Sequence, residues 1–156
     1  MPDSHPLVSI IIPTKDHADI LNNCITSIVE KSTYDNYELV IIENNSTEKV
    51  TFDYYDKLQA KYPDIVRLVT WEHEFNFSKL MNFGVAHAKG DYLLLLNNDT
   101  EVITPNWIET MLGICAREDV GAVGAKLYYP DNTIQHAGLC VTGGVAGPVS
   151  YTHLRA

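Results

Sequence analysis

Short apolar runs alternate along the chain with segments in which apolar residues recur every three or four positions. The runs predict strands at residues 7–12, 37–42, 65–71 and 92–96, and a weaker one at 120–127, where two glycines interrupt the pattern. Strands that alternate with amphipathic helices are typical of a mostly parallel sheet covered on both faces. The predicted class is therefore α/β, and the apolar run at 92–96 predicts burial on both faces of that strand.

The predicted helices begin and end at residues with capping or breaking chemistry. Asp16 is expected to cap the first helix, and the polar cluster at 44–48 opens the second. Ser78 is expected to cap the third helix, with Gly90 in the position just after its end. The Thr-Pro pair at 104–105 predicts the start of a fourth.

Composition narrows the class of protein. The chain has 156 residues, a length typical of one domain, and 46% of them are hydrophobic. Twenty acidic residues against eleven basic ones give a formal charge of −9, which disfavours binding to nucleic acid. No apolar run is long enough to span a bilayer, no signal peptide is recognisable, and the three cysteines form no CxxC pair. We expect a cytoplasmic protein with reduced cysteines.

Three polar clusters follow predicted strands, at residues 13–16, 43–48 and 97–101. Turn and cap chemistry alone would explain any one of them. In parallel sheets, however, ligands bind at the carboxyl ends of the strands, so three clusters at one edge favour a ligand site. In the last cluster Asp99, with an amide oxygen from Asn97, would suit a hard cation such as Mn²⁺ or Mg²⁺ that completes its shell with water and phosphate oxygens. A simple loop that leads into the next helix is the alternative.

Five motifs occur in order along the chain: VSIIIPT at 8–14, ELVIIENNSTE at 38–48, NFS at 76–78, NFG at 82–84 and AKGDYLLLLNNDTE at 88–101. Each is short, but their order and spacing together are specific. Together they resemble the motifs of the family 2 glycosyltransferases, which have the GT-A fold. The resemblance runs from about residue 7 to about residue 147, and it is strongest with the rhamnosyltransferase-like, polysaccharide-assembly branch.

The resemblance implies a nucleotide-diphosphate-sugar donor, a UDP- or dTDP-sugar, and a divalent metal. Pro13 and Thr14 would line the nucleoside pocket, and Glu43 stands where the family usually has an Asp that contacts a pyrimidine base. Asn97-Asn98-Asp99 falls on the DxD motif, so the implied metal ligands are Asp99 and Asn97. The other implied donor-binding residues are Asn45, Lys79, Asn82, Asn98 and His136. A helix-interior role for Asn82 and a structural role for His136 are the alternatives.

The residues of the acceptor side are not recognisable. An inverting transferase needs a general base, which in this family lies downstream of the donor motifs, and Asp131 is the last carboxylate in the sequence. We therefore expect a tail at 1–6, a transferase domain at 7–147 with an incomplete acceptor-side half, and a divergent or artefactual tail at 148–156.

Two functions are compatible with these features. The first is the donor-binding part of a glycosyltransferase whose longer parent transfers a sugar, with inversion, to a glycan or lipid-linked acceptor and associates peripherally with the membrane. The second is a non-catalytic nucleotide-binding or interaction fragment. A nicotinamide-binding protein is disfavoured because no GxGxxG motif follows the first strand.

Overall fold

The structure is a computed structural model that describes residues 5–142 and 145–148, with the side chains of residues 5–138. The chain divides into two units, the first ending at Ile108 and the second beginning at Glu109. The side chain of Cys140 and most of the two expected tails, at 1–4 and 149–156, lie outside the described residues.

The first unit contains a four-stranded sheet in which every strand runs parallel to its neighbours. The strands are β1 (Val8–Thr14), β2 (Tyr37–Glu43), β3 (Val66–Thr70) and β4 (Tyr92–Leu95), in the order β3-β2-β1-β4. The helices α1 (Ala18–Lys31), α2 (Lys49–Lys61) and α3 (Phe77–His87) follow the first three strands. The α/β class and the first four predicted strands are confirmed, with bounds shifted by one or two residues.

Strand β1 continues through Pro13, where the prediction ended it at Ile12. The strand stays paired with β2 as far as Thr14 but with β4 only as far as Ile11. The Leu96 N–H donates to the Ile11 carbonyl, so alternation turns the nitrogen of Pro13 toward the same side, past the end of β4. A proline costs no ladder hydrogen bond there, and the strand can include it.

One face of the sheet is covered by α3. Gly84 brings the helix against β1 and β2 so closely that a Cβ on it would lie 2.6 Å from Ile11 Cγ2 and 2.5 Å from Ile42 Cδ1. Leu80 and Met81 of the same helix belong to the buried cluster around these two isoleucines. The absence of a side chain at Gly84 therefore sets the distance between helix and sheet.

The opposite face is covered by α1 and α2. Alternation along the strands directs Ile10, Ile12 and Leu39 away from α3, and all three are completely buried. Right-handed crossovers place α1 and α2 on that face, where Leu21 of α1 and Leu58 of α2 are among the buried residues. Helices on both faces of the sheet are thus confirmed.

Strand β4 departs from the prediction of burial on both faces. Leu94 is buried, but Leu93 and Leu95 are 48% and 54% exposed. Both are paired in register with residues of β1 on the face that α3 covers, since Leu95 lies beside Ile11. Helix α3 lies over β1 and β2, so the edge strand is left without cover on that side.

The sequence predicted that Asp16 caps α1, and this prediction is wrong. The residue at the start of α1 is His17, which makes no side-chain cap hydrogen bond. The Asp16 carboxylate instead accepts the N–H groups of Thr47 and Glu48, at 2.8 and 3.0 Å, where the chain enters α2. The predicted cap is therefore wrong, and Asp16 binds N–H groups that immediately precede α2.

Both predicted boundaries of α3 are also wrong. The N-cap is Asn76, whose side-chain oxygen accepts the Lys79 N–H at 3.0 Å, rather than Ser78. The helix ends at His87, so Gly90 is too far along to end it. Gly90 instead lies against β1, where a Cβ would be 2.7 Å from the Ser9 nitrogen.

Helix α4 (Trp107–Cys115) crosses the boundary between the units and begins two residues after the expected Thr-Pro pair. In the second unit β5 (Leu127–Tyr128) pairs antiparallel with β6 (Ile134–His136), and β7 (Leu139–Thr142) with β8 (Val145–Pro148). The strand predicted at 120–127 is wrong except for its last residue, consistent with the two glycines within it. Among the described residues, no helix combines the length and apolarity needed to cross a membrane.

Candidate active site

The carboxyl ends of β1 and β2 lie side by side and end in buried polar residues. Thr14 and Glu43 are register partners, and each is only 4% exposed. The Asn44 N–H donates to the Thr14 carbonyl at 3.0 Å, which extends the pairing one residue beyond the strands. Pro13, the preceding site candidate, is partly buried beside Thr14. A polar floor therefore forms where two apolar strands end.

The segment that follows β4 reaches this floor. The Leu96 N–H donates to the Ile11 carbonyl at 3.0 Å, and the Asn98 side-chain amide donates to Thr14 Oγ1 at 3.2 Å. The structure thus brings together Thr14, Glu43 and Asn98, which the sequence placed in three separate clusters. Their convergence follows from the parallel strand order, because β1 lies between β2 and β4.

Helix α1 anchors the loop that carries Asn97 and Asp99. The Cys24 thiol donates to the Asn97 carbonyl at 3.8 Å, the Val102 N–H donates to Ser27 Oγ at 3.0 Å, and Lys31 Nζ donates to the Val102 carbonyl at 3.0 Å. Burial raises the pKa of the Cys24 thiol, which keeps it protonated as a donor. The spacing 24, 27, 31 marks one helical face, but nothing in the sequence indicates which loop that face contacts.

The two candidate metal ligands are both exposed on this loop. The backbone carbonyl of Asn97 is occupied by the Thr100 hydroxyl at 2.8 Å, while the Asp99 carboxylate takes no part in the hydrogen bonds that hold the loop. Within the described part of the chain, no three His, Cys, Asp or Glu side chains are grouped closely enough to hold a metal ion. A metal at Asp99 would therefore depend on ligands from a bound molecule and from water.

Glu43 is held in place by the loop between β2 and α2. Its carboxylate accepts the Ser46 N–H, and the Ser46 hydroxyl lies 3.4 Å from the hydroxyl of Tyr55. Tyr55 is almost fully buried, and this burial raises the pKa of its hydroxyl, which stays protonated. Sequence reasoning missed Ser46 and Tyr55, and only the position of Tyr55 on the inner face of α2 would have indicated the second.

Asn44 and Asn45 connect the same loop to the segment after β3. The Asn44 amide donates to the carbonyls of Trp71 and His73, at 3.0 and 3.1 Å, and the Asn45 amide donates to the His73 carbonyl at 2.8 Å. Asn45 has a left-handed backbone, with φ of 57°. Of these two, the sequence proposed Asn45 as a donor-binding residue, and its side-chain amide is engaged within the protein.

The other three predicted site residues lie on α3 and in the second unit. Lys79 and Asn82 are exposed on α3, and within the described residues neither side chain hydrogen-bonds to Thr14, Glu43 or Asn98. His136 is partly buried in β6 of the second unit, paired in register with Leu127. Pro13, Thr14, Glu43 and the 97–99 loop therefore lie near one another at the carboxyl edge of the sheet, and their role in binding stays a prediction, as do the roles of the other three.

Comparison with known proteins identifies similar sequences among glycosyltransferases. The sequence model for Glycosyl transferase family 2 matches residues 9–139. O-antigen biosynthesis protein RfbC of Myxococcus xanthus is 41% identical over 136 residues, which are 87% of this chain and 10% of that protein. Glycosyltransferase GlyG of Streptococcus pneumoniae is 26% identical over 137 residues, which are 88% of this chain and 44% of that protein.

A solved structure has the same fold. The mannosyltransferase PcManGT from Pyrobaculum calidifontis, in complex with GDP-Man and Mn²⁺, superimposes with a TM-score of 0.72 at 21% identity, over 84% of this chain and 38% of that one. The similarity confirms the predicted GT-A type α/β fold. The chain spans less than half the length of each of these three proteins.

Proposed function

The chain belongs to glycosyl transferase family 2, and from this premise we propose that its first unit binds the nucleotide-diphosphate-sugar donor of a sugar-transfer reaction. The observation that supports the proposal best is the convergence of Thr14, Glu43 and Asn98 at the carboxyl edge of the sheet. Ligands of open α/β sheets bind at that edge. The mannosyltransferase of the same fold was solved with a nucleotide sugar, GDP-Man.

Buried polar groups in the floor would recognise the nucleoside. Glu43 gives one carboxylate oxygen to the Ser46 N–H, which leaves the second oxygen to accept an N–H from the base. The ring N–H of uracil or thymine would suit this acceptor, and the family resemblance favours a UDP- or dTDP-sugar as the donor. Pro13 and Thr14 would line the nucleoside pocket beside it, and Asn98 would face the ribose or the diphosphate.

The residues of the 97–99 loop fit a hard divalent cation, Mn²⁺ or Mg²⁺, that shares its shell with the donor. Asp99 offers an exposed carboxylate and Asn97 an exposed amide, and such cations take one or two carboxylates together with phosphate oxygens and water. When bound, the metal would supply positive charge beside the diphosphate leaving group. Asp99 would hold and orient it, and α1 would keep the loop in position through Ser27 and Lys31.

A second observation supports the need for a metal. Helix N-termini often bind phosphate through their free N–H groups. At the entrance to α2, however, the N–H groups of Thr47 and Glu48 already donate to the Asp16 carboxylate. With these two donors occupied and a formal charge of −9 on the chain, a cation beside the dianionic diphosphate would offset the charge repulsion.

For the longer protein we propose hexosyl or rhamnosyl transfer, with inversion, to a glycan or lipid-linked acceptor in polysaccharide assembly. The support is the O-antigen biosynthesis protein, which is 41% identical over the matched residues. We expect the reaction on the cytoplasmic side, with peripheral attachment of the parent protein to the inner face of the membrane.

Calorimetry with UDP, dTDP and GDP, each with Mn²⁺ and with EDTA, tests the donor site. We expect one nucleotide to bind at least about tenfold more tightly with Mn²⁺, a difference of about 1.4 kcal/mol. Asp99→Ala should abolish that gain. Asp91→Ala is the matched control, because Asp91 is also exposed and precedes the same strand at the opposite edge of the sheet. A metal-dependent gain that survives in Asp99→Ala would refute the metal assignment, and the absence of any nucleotide binding would refute the proposed function.

A further inference from the structure

We propose that Asp16 is a positioning residue for donor binding: its carboxylate fastens the loop after β2 to the loop after β1, and so keeps Glu43 opposite Thr14. The inference rests on the proposed function, since it assumes that these two loops form the nucleoside pocket. It adds a residue that is neither part of the floor nor part of the implied metal site.

The two loops are joined by reciprocal hydrogen bonds centred on Asp16. Its carboxylate accepts the N–H of Thr47 at 2.8 Å and the N–H of Glu48 at 3.0 Å, both on Oδ1. Its own N–H donates to the Ser46 hydroxyl at 2.9 Å. Charge-assisted bonds from backbone N–H groups to a carboxylate are among the stronger hydrogen bonds in proteins. We call this set of contacts the Asp16 clasp.

The clasp acts on Glu43 through Ser46. The Ser46 hydroxyl accepts from Asp16, and the Ser46 N–H donates to the Glu43 carboxylate. Asp16 lies two residues after Thr14, and Ser46 lies three residues after Glu43. A displacement of either loop therefore moves the Glu43 carboxylate relative to Thr14.

Both loops carry unusual backbone conformations. Asp16 and His17 have φ of 51°, and Asn45 in the facing loop has φ of 57°. Left-handed conformations at non-glycine residues cost of order 1 kcal/mol each and persist where surrounding contacts hold them. The clasp supplies such contacts at a place where Asp16 is only partly buried and both residues after Ser46 are exposed.

For that reason we expect loss of the clasp to alter the geometry of the pocket while the fold remains intact. The core of the first unit lies between the sheet and its helices, and Asp16 is not among its buried residues. Asp16→Ala should therefore lower donor affinity with little effect on thermal stability. Asp16→Asn keeps an acceptor oxygen and a residue type that tolerates left-handed backbone, so it should restore most of the affinity.

The test uses the purified chain and two kinds of measurement. The first needs no ligand: hydrogen exchange of the Thr47 and Glu48 amides, read by NMR in wild type, Asp16→Ala and Asp16→Asn. The second is calorimetry with UDP, dTDP and GDP in the presence of Mn²⁺. Asp35→Ala is the matched control, since Asp35 is another hydrogen-bonded aspartate of the first unit but lies at the amino end of β2.

We expect Asp16→Ala to speed exchange at both amides at least tenfold and to weaken nucleotide binding about tenfold, with a melting temperature close to that of wild type. Asp16→Asn should bind within about threefold of wild type, and Asp35→Ala should bind as wild type does. If wild type binds a nucleotide and Asp16→Ala binds it equally well, the positioning role of Asp16 is overturned while the proposed function stands. The same conclusion follows if both Asp16 variants lose their fold to the same extent. If no nucleotide binds wild type, the proposed function fails and the positioning role fails with it, whatever the exchange data show for the clasp.

Discussion

Gly84 offers the sharpest test of how the fold supports the site. It lies where α3 crosses β1 and β2, and Gly84→Ala would put a methyl group 2.6 Å from Ile11 Cγ2 and 2.5 Å from Ile42 Cδ1. Ile11 and Ile42 are fully buried and stand just before the strand ends that carry Thr14 and Glu43. The added methyl group would thus clash with the part of the sheet that positions the floor of the site.

The expected cost follows from two opposing effects. Alanine improves helix propensity over glycine by about 1 kcal/mol, while overpacking a core costs about 1–3 kcal/mol. Ile11 Cγ2 is fixed on a β-branched carbon and cannot rotate away, so α3 must retreat by about 1 Å to reach ordinary contact distances. We take the upper part of the overpacking range and expect Gly84→Ala to destabilise the protein by about 1–2 kcal/mol.

Urea denaturation followed by tryptophan fluorescence measures this change. Trp71 packs against Phe83 of α3, with ring centroids 5.2 Å apart, so its emission reports directly on the helix. With a slope of about 1.5 kcal/mol/M the midpoint should fall by about 1 M. Ala86→Gly, at an exposed position of the same helix, is the control and measures the propensity effect alone. A Gly84→Ala protein as stable as wild type, or more so, would refute the close approach of helix and sheet.

Two further perturbations separate structural from site contacts. Glu38 is buried at the amino end of β2 and accepts from the Ser9 hydroxyl at 2.7 Å and from the Lys89 N–H at 2.6 Å. Because Glu38→Ala leaves these donors unpaired, it should lower the free energy of unfolding by about 2–3 kcal/mol and leave nucleotide affinity unchanged. A loss below about 0.5 kcal/mol in urea denaturation would contradict this prediction. Backbone N–H donors lower the pKa of Asp16 below the ordinary value of 3.8, so the stabilisation by the clasp is complete above that pH and is lost as pH falls through the lowered pKa. Amide exchange at Thr47 should show this acid-induced opening in wild type and not in Asp16→Asn, and identical acid profiles would argue against the ionised clasp.

Much of the fold was predictable because the signals are local. The runs that became β1 and β2 are apolar on both faces, as expected for central strands of a parallel sheet, and polar residues follow each where the strand ends. Parallel order then requires that the strand ends meet at one edge. The sequence therefore predicts Thr14, Glu43 and Asn98 as neighbours, and the motif order indicates the family that the comparison confirms.

Two of the errors, at Asp16 and at β4, concern contacts between residues far apart in sequence. Asp16 has the chemistry of a helix cap, but its partners lie 31 and 32 residues away, and only the pairing of β1 with β2 brings them within reach. The apolar run of β4 predicted complete burial, although its exposure depends on where α3 crosses the sheet.

The sequence alone thus determined the α/β pattern, the polar strand ends and the family, because each depends on residues that are adjacent or regularly spaced. Tertiary structure decided which loops touch. Cys24 and Ser27 of α1 contact Asn97 and Val102, which lie 73 and 75 residues further along the chain. Tyr55 of α2 lies beside Ser46, the residue that donates to Glu43. The spacing of apolar residues predicts which face of a helix is buried. The segment that this face contacts depends on the order of the strands in the sheet.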